Sequence, residues 1–241
     1  MRLVIDLGNT NARTALVRDG CVVDFFQGPL VSERVRLMAA STGVKSCICS
    51  SVRNMTPSEI NFLNGLPVKV RVLDGSLRLP IKIMYSTPET LGSDRIAAAV
   101  GAWQRYPNRN ILVIDAGTAI TYDMVTADGK YMGGNISPGK DIRLRALHEY
   151  TGRLPLVKSG GDTPVIGYST DTALRSGVLL GIEYEIEGYI SAMSQQYDSL
   201  LVFLTGGDAE LFGKPIKNRI FADVYLVLEG LYYISRYNEE S

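Results

Sequence analysis

One short pattern occurs twice in this chain and limits the folds that it can adopt. A run of apolar residues ends at an aspartate, a glycine follows two positions later, and a second β-rich run begins at once. The first copy contains Asp6 and Gly8, and the second contains Asp115 and Gly117. Each copy predicts a strand, a tight loop and another strand, with the aspartate at the end of the first strand. We therefore expect one structural unit to be used twice.

Such a unit has the chemistry to bind a nucleotide triphosphate. Its glycine lets backbone N–H groups approach phosphate oxygens, Thr10 and Thr118 add hydroxyl donors, and each aspartate can hold a metal ion or an ordered water. The simpler alternative is that Asp-x-Gly only closes a hairpin turn. A single copy favours that alternative, whereas two copies in the same strand context favour a phosphate site.

The order of the predicted elements indicates the fold class. Three consecutive strands are predicted within residues 2–26, helices then alternate with strands, and an apolar helix over 221–237 closes the chain. This order is typical of the actin-like, ribonuclease H-like fold. A dinucleotide-binding fold would instead carry G-x-G-x-x-G after its first strand. We expect an α/β chain of two similar actin-like halves, residues 1–109 and 110–241, with an ATP cleft between them.

The composition argues against several classes of partner. The 25 Lys and Arg residues balance the 25 Asp and Glu residues, so no net positive field attracts nucleic acid. No apolar run reaches the roughly 18–20 residues of a membrane span, and the N-terminus lacks a signal-peptide pattern. Cys47 and Cys49, two apart on a predicted strand and expected on its opposite faces, suit neither a disulfide nor zinc. We expect a cytoplasmic protein with neither nucleic acid nor a membrane as partner.

A glycine, a serine, an aspartate and an arginine, residues 92–95, stand where a helix is predicted to begin. Ser93 or Asp94 can cap that helix, which is a sufficient structural explanation. Catalysis offers a second explanation, because a phosphoryl acceptor needs a carboxylate within hydrogen-bond distance and an anionic substrate needs a guanidinium. Asp94 and Arg95 would supply both groups from one helix start.

Two glycine-rich segments follow in the second half. Residues 134–140 have the glycine and lysine spacing of a P-loop, but Asp141 stands where a P-loop has Ser or Thr, and Pro138 lacks an N–H. A close approach of the backbone to another segment or a ligand is the better interpretation. The turn at 205–207 either lies against a purine and ribose or is an ordinary strand-to-helix turn.

A long helix is predicted from Thr170 to about Gln196, because apolar residues recur about every four positions. These residues are Leu174, Val178, Ile182, Ile186 and Ile190. Gly177 and Gly181 mark a face that can pack against another helix, of this chain or of a second subunit. Thr170 or Thr172 would lie at the N-terminal end, where free N–H groups favour an anion.

Together these motifs resemble the type III pantothenate kinase family of the acetate and sugar kinase and actin superfamily. The resemblance spans nearly the whole chain and preserves the order of six short motifs. They are Asp6–Thr10, Gly92–Arg95, Asp115–Thr118, Gly133–Gly139, Leu154–Pro155 and Thr205–Gly207. It implies ATP-dependent phosphorylation of pantothenate to 4'-phosphopantothenate, the first step of coenzyme A biosynthesis. It also implies direct in-line transfer by a homodimer that uses Mg²⁺ and a monovalent cation, K⁺ or NH₄⁺.

The resemblance also implies roles for individual residues. Asp94 looks like the catalytic proton acceptor, and Asp115 looks like the ligand of the monovalent cation. ATP is expected at Asp6, Leu7, Gly8, Asn9, Thr10, Asn11, Ala12, Arg13 and Thr118. Pantothenate is expected at Tyr85, Gly92, Ser93, Asp94, Arg95 and Thr170, with Thr172 as the alternative if the register differs. Ser93 replaces the usual alanine of the family and can alter the hydrogen bonding around Asp94.

Two other functions remain open at this stage. One is a related enzyme that shares the ATP loops but phosphorylates a different small hydroxyl or carboxyl compound, which a substrate screen for ADP release would reveal. The other is a regulator that binds a nucleotide without catalysis. The presence of both Asp94 and Arg95 favours an enzyme.

Overall fold

A computed structural model describes residues 1–8, 11–213 and 220–239 of the chain. The protein forms two compact units. One consists of Met1–Arg109, Val125–Gly133 and Tyr225–Ser241, and the other of Asn110–Met124 and Gly134–Val224. The C-terminal helix therefore belongs to the unit that the N-terminus begins. No helix in the described ranges is both long enough and apolar enough to span a membrane.

The first unit contains a five-stranded sheet with helices around it. The strands of this sheet are β1 (Arg2–Leu7), β2 (Ala12–Arg18), β3 (Cys21–Gly28), β4 (Ser46–Ser51) and β5 (Lys69–Val72), and the unit also contains the short strand β6 (Lys82–Ile83) outside it. Its helices are α1 (Glu33–Ala39), α2 (Pro57–Asn64), α3 (Ser93–Arg105) and, at the end of the chain, α7 (Leu226–Tyr237). The sheet order is β3-β2-β1-β4-β5. The meander β1–β3 is antiparallel, and β4 and β5 continue the sheet in parallel.

Small residues bring α3 and α7 into close contact. A Cβ atom on Gly101 would lie 2.4 Å from the carbonyl oxygen of Leu226, and one on Gly230 would lie 1.7 Å from that of Ala97. Neither glycine can therefore be replaced without moving the helices apart. This contact fixes α3, the helix that begins with the residues predicted to act on the substrate.

The second unit is built on the sheet order β11-β10-β7-β8-β9. Its elements are β7 (Ile111–Ala116), β8 (Ala119–Val125), β9 (Lys130–Pro138), α4 (Lys140–Glu149), α5 (Thr170–Gln196), β10 (Leu201–Thr205), α6 (Ala209–Gly213) and β11 (Ile220–Ala222). The first residues of β9 pair with β6 within the first unit. One core cluster packs α5 against the sheet through Val178, Ile182, Ile186 and Ile190, whereas Leu174 lies outside that cluster.

Two predictions, one about the closing helix and one about β4, are wrong. The closing helix does not begin at Phe221, because Ile220–Ala222 form a strand that pairs in parallel with β10, and the ring of Phe221 stacks on Phe203. Cys47 and Cys49 do not face opposite sides of β4, since residues two apart on a strand share a face. Both pack in the core of the first unit.

Candidate active site

Strand register places three polar residues side by side in the first sheet. Asp6 on β1 stands between Arg13 on β2 and Ser50 on β4. Arg13 donates Nε and Nη2 to Asp6 Oδ2 at 3.0 and 2.6 Å, and Ser50 Oγ donates to Oδ1 at 2.8 Å. Asp6 is only 3% exposed, so these bonds compensate its buried charge and fix its orientation.

The loop after Asp6 is held by a second arginine. Gly8 N–H donates to the Asn11 carbonyl at 3.1 Å, and Arg53 Nε donates to the Gly8 carbonyl at 3.3 Å. Arg53 also pairs with Glu59 at 2.6 Å, and its hydrogen bonds lower the pKa of Glu59 to about 2. Asn9 and Thr10, both predicted to contact ATP, lie outside the described residues. Arg53 thus binds the backbone at Gly8, where the predicted phosphate loop begins.

The start of α3 is attached to the end of β4. Ser93 Oγ donates to the Ser51 carbonyl at 3.1 Å, and the Arg95 N–H donates to Asp94 Oδ1 at 2.8 Å. Gly92 is the N-cap residue, so the prediction that Ser93 or Asp94 caps this helix is wrong. The Ser93 side chain instead bonds to the neighbouring strand, and the Asp94 side chain accepts a hydrogen bond from the N–H of the next residue.

Arg95 and Tyr85 lie together in the first unit. Arg95 is only 6% exposed, and its guanidinium carbon is 5.9 Å from the centre of the Tyr85 ring. The Tyr131 ring meets Tyr85 edge to face, with ring centres 6.4 Å apart. Gly133 passes close by, because a Cβ there would be 3.2 Å from Tyr85. Two of the predicted pantothenate residues are therefore neighbours.

In the second unit, Asp115 on β7 stands opposite Thr205 on the parallel strand β10. The backbone of Gly206, with φ of +95°, is pressed against the end of β7. A Cβ there would lie 2.4 Å from both the Ala116 carbonyl oxygen and Asp115 Oδ1. Thr205 is fully buried, and its hydroxyl has no hydrogen-bond partner in the described part of the chain.

Two glycine segments flank the loop of Gly117 and Thr118. Gly139 N–H donates to the Thr118 carbonyl at 3.0 Å, and a Cβ on Gly139 would be 2.2 Å from the Gly117 carbonyl oxygen. This is the close backbone approach that the glycines predicted. Because the Gly139 N–H is already bonded, it is not part of a phosphate cradle of the P-loop kind.

The start of α5 separates Thr170 from Thr172. Thr172 is 6% exposed and forms a capping box with Ser169, whereas Thr170 is exposed. Thr170 lines a cavity of about 850 Å³ between α4 and α5. Most of its other lining residues are apolar, among them Ile142, Leu147 and Leu174. The structure thus leaves Thr170 available to a ligand and uses Thr172 within the helix start.

Several polar residues next to these predicted sites were missed by the sequence analysis. Thr205 and Lys140 were considered only within the turn 205–207 and the P-loop-like segment, whereas Ser50, Arg53 and Asp208 were not considered at all. Each lies at or just beyond a strand end, as do Asp6 and Asp115. That position is the only signal that the sequence offered for them. Their partners become visible only when the register of neighbouring strands is known.

Comparison with known proteins decides the family. Residues 2–192 match the sequence pattern of the type III pantothenate kinases. The chain is 48% identical over 239 residues to the type III pantothenate kinase of Bacteroides fragilis, covering 99% of this chain and 98% of the relative. The chain belongs to the type III pantothenate kinase family. Within this family it is also 43% identical over 241 residues to the type III pantothenate kinase of Phocaeicola vulgatus, with both chains fully covered.

Solved structures agree on the fold. A Campylobacter jejuni protein described as a Baf family transcriptional activator matches with a TM-score of 0.66 and 21% identity, covering 99% of this chain and all of its own. A ROK family glucokinase from Streptomyces griseus, solved with glucose and AMPPNP, matches with a TM-score of 0.55 and 12% identity, covering 100% and 99% of the two chains. At these identities the likeness concerns the fold alone. The predicted actin-like α/β fold is confirmed.

Proposed function

We propose that this family member transfers the γ-phosphoryl group of ATP to the primary hydroxyl of pantothenate. The product is 4'-phosphopantothenate, in the first step of coenzyme A biosynthesis. The main support from the structure is the start of α3. There Asp94 and the buried Arg95 stand together, and Ser93 ties them to the strand next to that of Asp6. A carboxylate for the hydroxyl proton and a guanidinium for the carboxylate of pantothenate are the groups that this reaction needs.

The phosphates of ATP are assigned to the loop after β1 and to Thr118. The residues are Asp6, Leu7, Gly8, Asn9, Thr10, Asn11, Ala12, Arg13 and Thr118. Arg13 supports this assignment because 23% of its side chain is exposed although it pairs with Asp6. It can present charge to a phosphate without leaving a buried acid unpaired.

Pantothenate is assigned to Tyr85, Gly92, Ser93, Asp94, Arg95 and Thr170. Asp94 is the proposed proton acceptor for the attacking hydroxyl. Arg95 is held by burial and by the Tyr85 ring, so its guanidinium has few alternative positions. The transition state of phosphoryl transfer is loose, and most of the rate enhancement comes from alignment and charge compensation. These residues would hold the acceptor in line with the γ-phosphorus.

The donor set at Asp115 fits a monovalent cation. One carboxylate and the buried Thr205 hydroxyl lie on adjacent strands, and both offer the oxygen ligands that hard cations prefer. We assign K⁺ or NH₄⁺ to Asp115 and Mg²⁺ to the phosphates of ATP, where such cations offset the charge of the transferring group.

A homodimer is part of the proposal. The cavity between α4 and α5 is largely apolar, and Ile142, Tyr150 and Tyr184 expose large side chains on these helices or next to them. A second copy of the chain would cover such a surface. Thr170 lies at this cavity, so it would serve pantothenate in its own subunit or in its partner. A cytoplasmic location is proposed with it.

An ADP-release assay with a panel of acceptors tests the function. We expect ADP release from ATP with pantothenate, and more with K⁺ present than without it. Release with another small hydroxyl or carboxyl compound, but not with pantothenate, would support a related kinase. Tight ATP binding with no turnover on any pantothenate-like acceptor would support a non-catalytic regulator.

A further inference from the structure

A lysine occupies an electrostatically unfavourable place in the second unit. Lys140 is the first residue of α4, where the helix dipole favours negative charge. Only 15% of its side chain is exposed. Desolvation lowers the pKa of Lys140, but hydrogen bonds and charge from Asp208 and Asp141 outweigh it and raise the pKa above its usual value. The ammonium is therefore charged, and the acids around it hold it there.

The main partner of this lysine comes from the glycine turn after β10. Lys140 Nζ lies 2.8 Å from Asp208 Oδ1 and 2.9 Å from Oδ2, and 3.1 Å from Asp141 Oδ2. The Asp208 side chain is 19% exposed, whereas that of Asp141 is 69% exposed. The pair with Asp208 is thus the more shielded one and is less weakened by solvent.

This ion pair completes a closed ring of contacts around the loop of Gly117 and Thr118, which we call the Thr118 loop. The Asp208 N–H donates to the Ala116 carbonyl at 2.9 Å, and the Gly139 N–H donates to the Thr118 carbonyl at 3.0 Å. Lys140 follows Gly139 directly, and its side chain returns to Asp208. Three segments that are far apart in sequence are therefore connected through two backbone bonds and one ion pair.

The ring contains two contacts that leave no space for adjustment. Gly206 and Gly139 both approach the segment 115–118 so closely that neither could carry a Cβ. A partly buried ion pair contributes little net stability, because desolvation offsets much of the attraction. Its better-supported effect is geometric, since it sets where the turn 206–208 stands relative to the Thr118 loop.

We propose that Lys140 and Asp208 are positioning residues for the nucleotide, which hold the turn 206–208 at a fixed distance from the Thr118 loop. The inference rests on the proposed ATP site and deepens it. Neither side chain needs to touch ATP for this effect. Loss of the pair would let the turn move, so the affinity for ATP would fall while the pantothenate residues of the first unit stay as they are.

The test measures ATP affinity by calorimetry in the full-length chain, together with KM for ATP and for pantothenate. We expect Lys140→Met and Asp208→Asn each to weaken ATP binding about tenfold, equivalent to about 1.4 kcal/mol. KM for pantothenate and kcat at saturating ATP should stay within about twofold. Lys130→Met is the matched control, because Lys130 pairs with Asp128 at 2.6 Å on the surface, and it should bind ATP normally.

A charge reversal separates positioning from a direct phosphate contact. The double variant Lys140→Asp with Asp208→Lys restores the pair and also places an acid at the start of α4, so ATP affinity should recover to within about threefold. Lys140→Arg should behave like the wild type. Single variants that bind ATP normally would overturn the inference, as would a double variant that binds no better than Lys140→Met.

The outcome is independent of the substrate assignment. If the wild type binds ATP but does not phosphorylate pantothenate, the proposed function fails and the binding series still tests the ring. If the wild type phosphorylates pantothenate and all single variants bind ATP equally well, only the ring fails. Thermal unfolding without nucleotide checks that each variant is folded.

Discussion

Asp6 and Asp115 end corresponding strands in the two units, but their surroundings differ. In each unit the neighbouring parallel strand offers a buried hydroxyl at the matching position, Ser50 beside Asp6 and Thr205 beside Asp115. The Ser50 hydroxyl bonds to Asp6, and Arg13 binds the same carboxylate. The Thr205 hydroxyl has no hydrogen-bond partner within the described ranges. The same strand arrangement thus gives one site with its own guanidinium and one whose hydroxyl can serve an added cation.

This difference matches the two roles that phosphoryl transfer requires. A guanidinium beside the first acid suits the anionic phosphates proposed there, and the Thr205 hydroxyl beside Asp115 suits the proposed K⁺ or NH₄⁺. One duplicated unit can therefore serve opposite charges through changes in a few side chains. The predictions below test that division, from the largest expected effect to the smallest.

The largest effect is expected at Asp94, which belongs to neither of the two compared sites. Asp94→Asn should lower kcat at least roughly a hundredfold, in line with the contribution of a general base. ATP and pantothenate should bind with nearly unchanged affinity, because the amide keeps the size of the carboxylate. Steady-state kinetics and calorimetry on the same preparation measure both quantities. Near-normal turnover would exclude Asp94 as the proton acceptor.

Asp115→Asn should separate the cation site from the phosphate site. We expect the K⁺ concentration for half-maximal activity to rise about tenfold, which corresponds to about 1.4 kcal/mol of lost interaction. Basal activity without K⁺ should change much less. A potassium titration of ADP release measures this shift. An unchanged titration curve would remove Asp115 from the cation site.

Removing the hydroxyl of Ser50 or of Thr205 tests the comparison through the stability of the protein. Ser50→Ala should destabilise the protein by about 1–3 kcal/mol, because it leaves an oxygen of the buried Asp6 without its donor. Thr205→Val removes a buried hydroxyl that has no hydrogen-bond partner and nearly keeps the shape of the side chain, so it should leave stability unchanged or raise it by about 1–3 kcal/mol. Urea unfolding in the absence of K⁺ compares them. Equal losses would mean that the two hydroxyls have the same role.

The smallest effect concerns the pH dependence of stability that Glu59, the partner of Arg53 in the first unit, contributes. Hydrogen bonds from Arg53 hold the pKa of Glu59 at about 2, below its usual value. A lowered pKa in the folded state contributes stability above the unfolded pKa, and this contribution is lost as pH falls towards about 2. Glu59→Gln should therefore be less stable at pH 7, and its stability should vary less than that of the wild type between about pH 4.5 and 2. An equal change in the free energy of unfolding with pH for both proteins across that range would contradict this.

Much of the frame around the site was predictable from sequence. The strands beside the two Asp-x-Gly motifs and the helix starting near Asp94 follow from local sequence patterns, and the structure contains them. The short strands β6 and β11 were not predicted, because two or three residues carry too little periodicity. A helix after the turn 205–207 was expected, and α6 begins at Ala209.

What could not be predicted depends on contacts between distant segments. The Ser50 bond to Asp6 depends on the register of β1 and β4. The Lys140 pair with Asp208 connects the start of α4 to the turn after β10, and that turn is itself bonded to Ala116 at the end of β7. Ser93 shows the same limit. Its sequence position suggested a helix cap, whereas in the structure its hydroxyl bonds to Ser51.

Product formation by the wild-type chain at increasing K⁺ concentrations tests the central claim most directly. The claim is that two versions of one unit serve ATP phosphates and a cation for transfer to pantothenate. Mass spectrometry should show 4'-phosphopantothenate formed in equal amounts with ADP, with a rate that rises with K⁺ and saturates. Formation of ADP without phosphorylated pantothenate, or a rate that does not change with K⁺ concentration, would contradict it.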